Sequence, residues 1–292
     1  MAVPRSFDEL IGLFDLERID DNLFRGRQPA TGLQRVFGGQ VAGQALMAAS
    51  RTIEPERVVH SLHAYFLRPG DTSVPIVYDV EFTRDGRSFN TRRVVARQHG
   101  QTIFYMSASF HLPEPGYDHQ DAMPGVPDPE ACPTLGDVLA KVSGRPSAAW
   151  GEEWAALDVR YVGDSRRGGV AKDPAHPAQA RVWFRAAGTL PDDQVLHHCV
   201  LAYSSDLTLL GATLVPHDTY IGAPDLQATS LDHAIWFHRP FRADEWLLYE
   251  QASPSAADSR GLATGQIFTR DGRLVASVVQ EGLIRQVPPR AR

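Results

Sequence analysis

Two stretches of this chain, Tyr65-Phe66-Leu67-Arg68-Pro69 and Trp236-Phe237-His238-Arg239-Pro240, are versions of one sequence pattern. They lie 171 residues apart, and further matches follow at that offset, with a slip of one residue towards the end. These matches are Tyr78 with Tyr249, Asn90 with Gly261, and His99-Gly100-Gln101 with Asp271-Gly272-Arg273. A repeat that holds over about 40 residues indicates duplication, and duplicated halves usually pack as a pseudo-dimer.

The two halves differ at positions suited to chemistry. At the same register, Ser230 corresponds to Val59 and Gln280 corresponds to Ala108, so the second half has polar side chains where the first has apolar ones. Side chains alternate between the two faces of a strand, so an alignment error of one residue would exchange the faces. The pattern predicts that the second half is catalytic and the first is structural.

Composition limits the class of partner. The 292 residues are 43% hydrophobic and 22% charged, which is ordinary for a globular protein long enough for roughly two domains. The formal net charge is −6 and no basic run stands out, which argues against a nucleic acid or an anionic membrane surface. The expected partner is a small molecule.

The sequence also favours a cytoplasmic location. Cys132 and Cys199 are too few for a disulfide framework, and the sequence leaves their pairing open. Acidic residues interrupt the apolar positions of Phe7–Leu16, so no signal peptide is predicted, and no window approaches the ~20 apolar residues of a membrane span. The C-terminal residues 289–292 lack a Ser-Lys-Leu-type peroxisomal signal. We therefore expect no membrane insertion.

The first half predicts a helix covered by an antiparallel sheet. In the segment 36–46, the small residues Gly39, Ala42 and Gly43 recur at helical spacing, so the helix is slim and a sheet is expected to wrap closely around it. Hairpin turns separate the strands that follow. The other predicted elements are a helix at Phe7–Leu16, a strand or strand pair at Glu17–Arg27, and strands at Val58–Leu67, Ile76–Thr83, Ser88–Gln98 and Gln101–Leu112.

The second half repeats this plan. A helix is expected from Pro191-Asp192-Asp193 to Ser205, with acidic residues in its first turn, where the helix dipole favours them. The predicted strands are Leu157–Val162, Arg181–Ala187, Ala228–His238, Trp246–Ala252, Gly261–Thr269 and Leu274–Arg285. Proline-rich sequence at 113–180 indicates a linker, with short helices at Leu135–Val142 and Ala148–Leu157. The architecture is α+β, with predicted units 1–112 and 157–292 and a linker at 113–156.

Six motifs carry a resemblance to a known family. They are Leu23-Phe24-Arg25-Gly26, Val36-Phe37-Gly38-Gly39-Gln40, Phe66-Leu67-Arg68-Pro69-Gly70-Asp71, Tyr203-Ser204-Ser205-Asp206-Leu207, Asp232-His233-Ala234-Ile235-Trp236-Phe237-His238-Arg239-Pro240-Phe241 and Val279-Gln280-Glu281-Gly282. Together they resemble the acyl-CoA thioesterase II (TesB-like) family. The resemblance implies a double hotdog fold, hydrolysis of fatty acyl-CoA to free acid and CoA without metal or other cofactor, and a homo-oligomer, a dimer or larger.

The resemblance also implies a catalytic trio. The family's Asp, hydroxyl and Gln fall on Asp206, Ser230 and Gln280, and Thr229 is the alternative hydroxyl. A side chain one residue away would point to the opposite strand face, which is why the choice between Ser230 and Thr229 matters. In this mechanism Asp206 accepts a proton from a water that Ser230 and Gln280 also hold. Backbone N–H groups near the glycine-rich segment 37–40 are the expected oxyanion donors.

Other chemistries are less well supported by the residues. His60 is the rival base, since an imidazole titrates near neutral pH. His197-His198-Cys199, and His233 with His238, lack a recognisable zinc spacing, and no Gly-x-Ser-x-Gly, dinucleotide-binding or Walker A motif occurs. A hotdog dehydratase, which would need a catalytic His and an acid, and a non-catalytic acyl-CoA-binding scaffold remain as alternatives. Candidate cations for the CoA phosphates are Arg87, Arg92, Arg93 and Arg239.

Overall fold

A computed structural model describes residues 4–29, 35–144, 146–165, 178–217 and 219–288. In these residues, thirteen antiparallel strands form one sheet. The strands are β1 (Glu17–Asp20), β2 (Leu23–Gly26), β3 (Val58–Phe66), β4 (Ile76–Asp85), β5 (Phe89–Gln98), β6 (Gln101–His111), β7 (Leu157–Asp164), β8 (Ala178–Ala186), β9 (Leu226–Ser230), β10 (Asp232–Phe237), β11 (Leu247–Ala257), β12 (Arg260–Thr269) and β13 (Leu274–Gln286). The helices are α1 (Phe7–Phe14), α2 (Gly38–Ser50), α3 (Leu135–Ser143), α4 (Ser147–Glu153) and α5 (Gln194–Ser205).

The strand order repeats in mirror image. It runs β1-β2-β4-β5-β6-β3 and then β10-β13-β12-β11-β8-β7, with β9 beside β13. The two halves join where β3 pairs with β10, with Leu62 opposite Ile235. Each half covers one buried central helix, α2 or α5. This arrangement is the predicted α+β double hotdog and agrees with a duplicated sequence.

The strand register supports the alignment of the two halves. Val59 pairs with Phe110 in the first half, and Ser230 pairs with Gly282 in the second. These two pairs occupy equivalent places in the mirrored sheet, as the offsets read from the sequence require. The apolar-to-polar differences between the halves are therefore differences at matching positions.

The two central helices approach each other closely. A Cβ on Gly43 would lie 2.9 Å from the carbonyl oxygen of Cys199 in α5 and 2.7 Å from a ring carbon of Phe14, and a Cβ on Gly39 would overlap the carbonyl oxygen of Tyr203. The small residues of α2 thus permit contact with α5 as well as with the sheet, whereas the sequence led us to expect only the sheet. No residue with a side chain fits at positions 39 and 43 between the α2 and α5 backbones.

The start of helix α5 is fixed by a side-chain cap. Asp193 is the N-cap, and its side chain accepts a hydrogen bond from the Val195 N–H at 2.9 Å. The prediction of acidic residues within the first turn is therefore wrong, because Asp193 lies just before it.

The segment Gln194–His217, which includes the 3-10 helix Leu209–His217, is long and apolar enough for a membrane span, but 78% of its most apolar window is buried inside the fold. That degree of burial is typical of a core helix.

The strand predicted at Ala228–His238 is two strands, β9 and β10, separated at Leu231. The Leu231 N–H donates to the Glu281 carbonyl at 2.9 Å, and its own carbonyl accepts from the Phe66 N–H. The Glu281 N–H donates to the Asp232 side chain instead of to a strand carbonyl. A side chain thus replaces one backbone acceptor, which the alternation of residues along the sequence does not reveal. The other predicted elements are present, with shifted ends.

The linker contains the expected short helices. Thr134 caps α3 by accepting a hydrogen bond from the Asp137 N–H, and α3 is followed by its C-cap Gly144, whose φ of +69° favours glycine. Part of the proline-rich stretch, residues 145 and 166–177, lies outside the described residues. The division into 1–112, 113–156 and 157–292 stays a prediction.

Gly43→Ala tests the close contact between the central helices. We expect it to lower the free energy of unfolding by about 1–3 kcal/mol, because the added methyl group must displace the Cys199 backbone or the Phe14 ring. The matched control is Gly12→Ala in α1, where a Cβ meets nothing within 4 Å. The higher helix propensity of alanine should raise the free energy of unfolding of this variant by at most about 1 kcal/mol. Urea denaturation measures both variants. A Gly43→Ala variant as stable as the wild type would contradict this account of the packing.

Candidate active site

Three polar side chains from three elements meet at the end of α5. Asp206 follows the last residue of α5, Ser230 ends β9, and Gln280 lies in the middle of β13. The Gln280 Nε2 donates to Asp206 Oδ1 at 2.5 Å and to Ser230 Oγ at 3.0 Å. Ser230 Oγ donates to Asp206 Oδ1 at 3.1 Å. The structure thus brings the three residues chosen from the sequence into one hydrogen-bonded cluster.

The Asp206 carboxylate also faces the first turn of α2, which comes from the other half of the chain. The backbone N–H of Gly39 donates to this carboxylate. A Cβ on Gly38 would lie 2.6 Å from Asp206 Oδ2, so this approach requires glycine. The first N–H groups of a helix have no intrahelical acceptors, and that end of the helix carries partial positive charge. Both properties favour a carboxylate at this position.

Burial raises the pKa of Asp206 from 3.8 to about 6. The hydrogen bonds from Gln280, Ser230 and the Gly39 amide lower the pKa, but they do not offset the desolvation of a residue that is only 9% exposed. At neutral pH the carboxyl group is mostly ionised and is more basic than an ordinary aspartate. A pKa close to the working pH is the property that general-base catalysis requires.

The Gln280 side chain has a defined orientation. An ionised carboxylate only accepts hydrogen bonds, so the amide must turn its NH₂ group towards Asp206. The Gln280 residue is fully buried, and its Oε1 has no hydrogen-bond partner in the described part of the chain. A buried amide oxygen of this kind is an acceptor ready for a donor group that enters the site.

The structure separates the two candidate hydroxyl residues. Ser230 is half-buried and reaches Asp206, whereas Thr229, opposite Leu283 on β13, is exposed. Sequence reasoning did not identify the Gly39 amide as a partner of Asp206. It also missed the contact between Ser205 Oγ and His233 Nε2, 2.8 Å apart, next to Asp206 in the chain. The only signal for these groups in the sequence is that they belong to the quoted motifs.

The other histidines considered from the sequence, His60, His197 and His238, contact groups outside this cluster. His60 Nε2 is 2.8 Å from Ser109 Oγ, its ring packs on Phe89 and His111, and burial, followed by the charge of His111, lowers its pKa. The nitrogens of His197 and His238 contact the Ala243 N–H and Ser277. Among the described residues, no group of three His, Cys, Asp or Glu side chains is arranged to hold a metal ion.

Two of the arginines considered for the CoA phosphates are engaged elsewhere. Arg92 is 3% exposed and contacts Asp85 and the backbone and hydroxyl of Thr52. Arg239 binds Asp118 and the carbonyl oxygen of Leu274. The hypothesis that Arg92 binds phosphate is wrong, because its guanidinium group is buried. The alternation of apolar and polar residues along a strand does not distinguish a buried arginine from an exposed one.

The matching position in the first half lacks all three groups. Arg51 follows α2 where Asp206 follows α5, and Val59 and Ala108 stand in place of Ser230 and Gln280. A cavity of about 240 Å³ remains there, lined in part by Val59 and Phe110. The fold therefore has two related positions, and one of them carries the carboxylate, hydroxyl and amide.

Comparison with known proteins agrees with the fold and the residues. A family model described as "Acyl-CoA thioesterase" matches residues 172–283, and one described as "Acyl-CoA thioesterase N-terminal domain" matches residues 25–111. Acyl-CoA thioesterase 2 of Haemophilus influenzae is 42% identical over 283 residues, which are 95% of this chain and 97% of that protein. The chain belongs to the acyl-CoA thioesterase family.

Two further members illustrate the range of this thioesterase family. Human acyl-coenzyme A thioesterase 8 is 41% identical, over 94% of this chain and 88% of that protein. The crystal structure of the acyl-CoA thioesterase II TesB2 from Mycobacterium marinum is 50% identical, with a TM-score of 0.79, and the alignment covers 95% of this chain and 98% of that one. The family predicted from the six motifs is confirmed, and so is the double hotdog fold.

Asp206→Asn tests the raised pKa through stability. A carboxyl group whose pKa rises on folding stabilises the folded state below its unfolded pKa, and this stabilisation is lost as the pH rises from about 4 through 6. We therefore expect Asp206→Asn to be more stable than the wild type at pH 8 by about 1–3 kcal/mol, with the difference vanishing near pH 4. The exposed Asp225→Asn is the control. Urea denaturation showing a difference independent of pH would contradict the raised pKa.

Proposed function

We propose that this protein hydrolyses fatty acyl-CoA thioesters to the free fatty acid and CoA. The observation that carries the proposal is the buried cluster of Asp206, Ser230 and Gln280 against the first turn of α2. A thioester needs an activated water and donors for the charge that develops on its carbonyl oxygen. The cluster supplies a base for the first requirement, and the helix end is suited to the second.

In this mechanism Asp206 acts as a general base. It takes a proton from a water whose oxygen attacks the thioester carbonyl carbon, while Gln280 Oε1 accepts the water's other hydrogen and Ser230 Oγ helps to hold the water. The tetrahedral intermediate then collapses, the C–S bond breaks, and the proton on Asp206 passes to the departing CoA thiolate. The products are the acid and the CoA thiol, and Asp206 returns to its ionised form.

The oxyanion needs hydrogen-bond donors that are already in position. The first amide of α2, at Gly38, comes from the first half of the chain and lies beside the Asp206 carboxylate, whereas the Gly39 amide is bound to that carboxylate. The absence of a Cβ on these residues lets a carbonyl oxygen approach the backbone. In this proposal the first half contributes the hydrogen-bond donor for the oxyanion, and the second half contributes the base.

The structure gives less support to a hotdog dehydratase. The histidine beside this cluster is His233, which is fully buried behind Ser205. Burial lowers the pKa of His233 to about 3, so the imidazole is neutral at physiological pH and is not exposed to a substrate. A dehydratase needs a histidine that reaches its substrate.

Asp206→Asn tests the proposed base. We expect kcat for release of free CoA thiol from a panel of acyl-CoAs to fall about 10²–10⁴-fold, because the amide cannot accept the proton. In the wild type, kcat/KM should rise with pH through about 6 as Asp206 ionises. Asp225→Asn, with an exposed side chain, is the matched control. Undiminished turnover in Asp206→Asn would contradict the mechanism, and no turnover by the wild type would favour an acyl-CoA-binding scaffold.

We further propose that the protein is a cytoplasmic homo-oligomer. Three large apolar side chains on strands of the first half, Tyr65, Phe82 and Phe89, are 46–50% exposed, and association with a second copy would remove exposed apolar area of this kind from water. Cys132 and Cys199 are both buried free thiols, as suits a reducing compartment.

Light scattering tests the assembly. We expect a solution mass of at least two chains at micromolar concentration, because association would cover the exposed aromatic side chains. The triple variant Tyr65→Ser, Phe82→Ser, Phe89→Ser should have a lower mass than the wild type. A wild type with the mass of a single chain would contradict the proposed assembly.

A further inference from the structure

The dipeptide Asp232-His233 contacts the sequence neighbours of Asp206 and Gln280 but is not part of the proposed catalytic trio. It opens β10 immediately after the break at Leu231 that follows Ser230. Consecutive strand residues point to opposite faces of a sheet. Accordingly, His233 is fully buried while Asp232 is partly exposed. Each of the two side chains makes one hydrogen bond to a neighbouring element.

His233 holds the residue that precedes Asp206. Ser205 Oγ donates to the Ala202 carbonyl at 3.1 Å, so it accepts from His233 Nε2, which lies at 2.8 Å. Burial keeps the His233 ring neutral, which leaves one N–H, and this geometry places it on Nε2. The carbonyl of Ser205 accepts from the Tyr249 hydroxyl at 3.2 Å. Ser205 is therefore fixed through both its side chain and its backbone, one residue before the proposed base.

Asp232 holds the residue that follows Gln280. Its Oδ1 accepts a hydrogen bond from the Glu281 N–H at 2.5 Å. At the break between β9 and β10 no strand carbonyl serves this amide, so the Asp232 side chain completes the pairing of β13. The Gln280 side chain must reach both Asp206 and Ser230, and its position depends on this part of β13.

We propose that Asp232 and His233 are positioning residues that fix Gln280 and Asp206 relative to Ser230. Asp232 acts on Gln280 through the Glu281 amide, and His233 acts on Asp206 through Ser205. Neither side chain needs to touch the substrate. The inference rests on the proposed function for its kinetic consequences, but the geometry of the cluster is independent of it.

A loosened cluster has a specific electrostatic consequence. The groups that bind the Asp206 carboxylate are the neutral donors Gln280, Ser230 and the Gly39 amide, and the buried residues Tyr203 and Tyr249 are close enough to interact with its charge. Burial raises the pKa of both tyrosines well above 10, so they stay neutral. Loss of the Gln280 hydrogen bond would therefore raise the pKa of Asp206 further, with no compensating charge change at these groups.

Asp232→Ala and Asp232→Asn form the decisive pair. We expect Asp232→Ala to lower kcat about 10²-fold with KM changed less than threefold, and to shift the acidic limb of the pH profile above 6. Asp232→Asn should restore both, because its side-chain oxygen still accepts the Glu281 amide. A wild-type profile in Asp232→Ala, or an Asn variant no better than the Ala variant, would overturn the role of Asp232.

His233→Leu and His233→Gln form the second pair. A glutamine Nε2 can replace the imidazole donor to Ser205, so the Gln variant should retain more of kcat and a less shifted acidic limb than the Leu variant. Melting temperatures of all four variants identify any that unfold under the assay conditions. Equal kcat and equal pH limbs in the folded Leu and Gln variants would overturn the role of His233.

The positioning role and the proposed function can fail separately. If the wild type hydrolyses acyl-CoA while Asp232→Ala matches its kcat and pH profile, only the positioning role is overturned. If the wild type hydrolyses no acyl-CoA, the proposed function is overturned. The positioning role is then decided by the carboxyl pKa of Asp206 in Asp232→Ala, measured by infrared difference spectroscopy. A value equal to that of the wild type would overturn it.

Discussion

The close contact between the two central helices is the constraint on which the rest of the structure depends. Glycines 39 and 43 of α2 leave no room for a side chain against the backbone of α5. This contact brings the C-terminal end of α5 to the N-terminal end of α2, where Asp206 meets the Gly39 amide. The carboxylate is thus buried at the junction of the two halves, which raises its pKa, and the sheet supplies the hydroxyl and the amide that surround it.

Duplication explains why one position is equipped for chemistry and its counterpart is not. Two equivalent halves create two equivalent helix junctions, but a single set of polar groups meets the needs of one reaction. Arg51 and Val59 at the matching places are compatible with packing and do not form a buried acid cluster. Because Arg51 stands at the place that corresponds to Asp206, the first half does not bear the desolvation of a second carboxylate. Each half still contributes to the candidate active site, because α2 belongs to one half and Asp206 to the other.

Much of the fold follows from the sequence, and the failures have physical causes. Hydrophobic alternation and turn residues located the strands, and the internal repeat predicted that the second half repeats the plan of the first. The break at Leu231 escaped prediction because the acceptor that replaces the backbone is the Asp232 side chain. The contact between α2 and α5 escaped it because small residues show that something approaches closely and do not show what approaches.

The three residues of the site were chosen by their resemblance to family motifs, and the strand register explains why two of them share a face. Ser230 and Thr229 differ by one residue, so only the pairing with β13 separates them. The raised pKa of Asp206 was not predictable, because desolvation depends on how the two halves pack. The contacts of Ser205 with His233, and of Asp232 with Glu281, join elements distant in sequence, and no local pattern encodes them.

The most direct test of this account is the pKa of the Asp206 carboxyl group in the free protein. Infrared difference spectra between pH 4 and pH 8, compared for the wild type and Asp206→Asn, isolate the carboxyl band of this residue. The account predicts one band that titrates at about pH 6 in the wild type and is missing from the variant. Titration of Asp206 near pH 4, as for an exposed aspartate, would contradict the buried base on which the account depends.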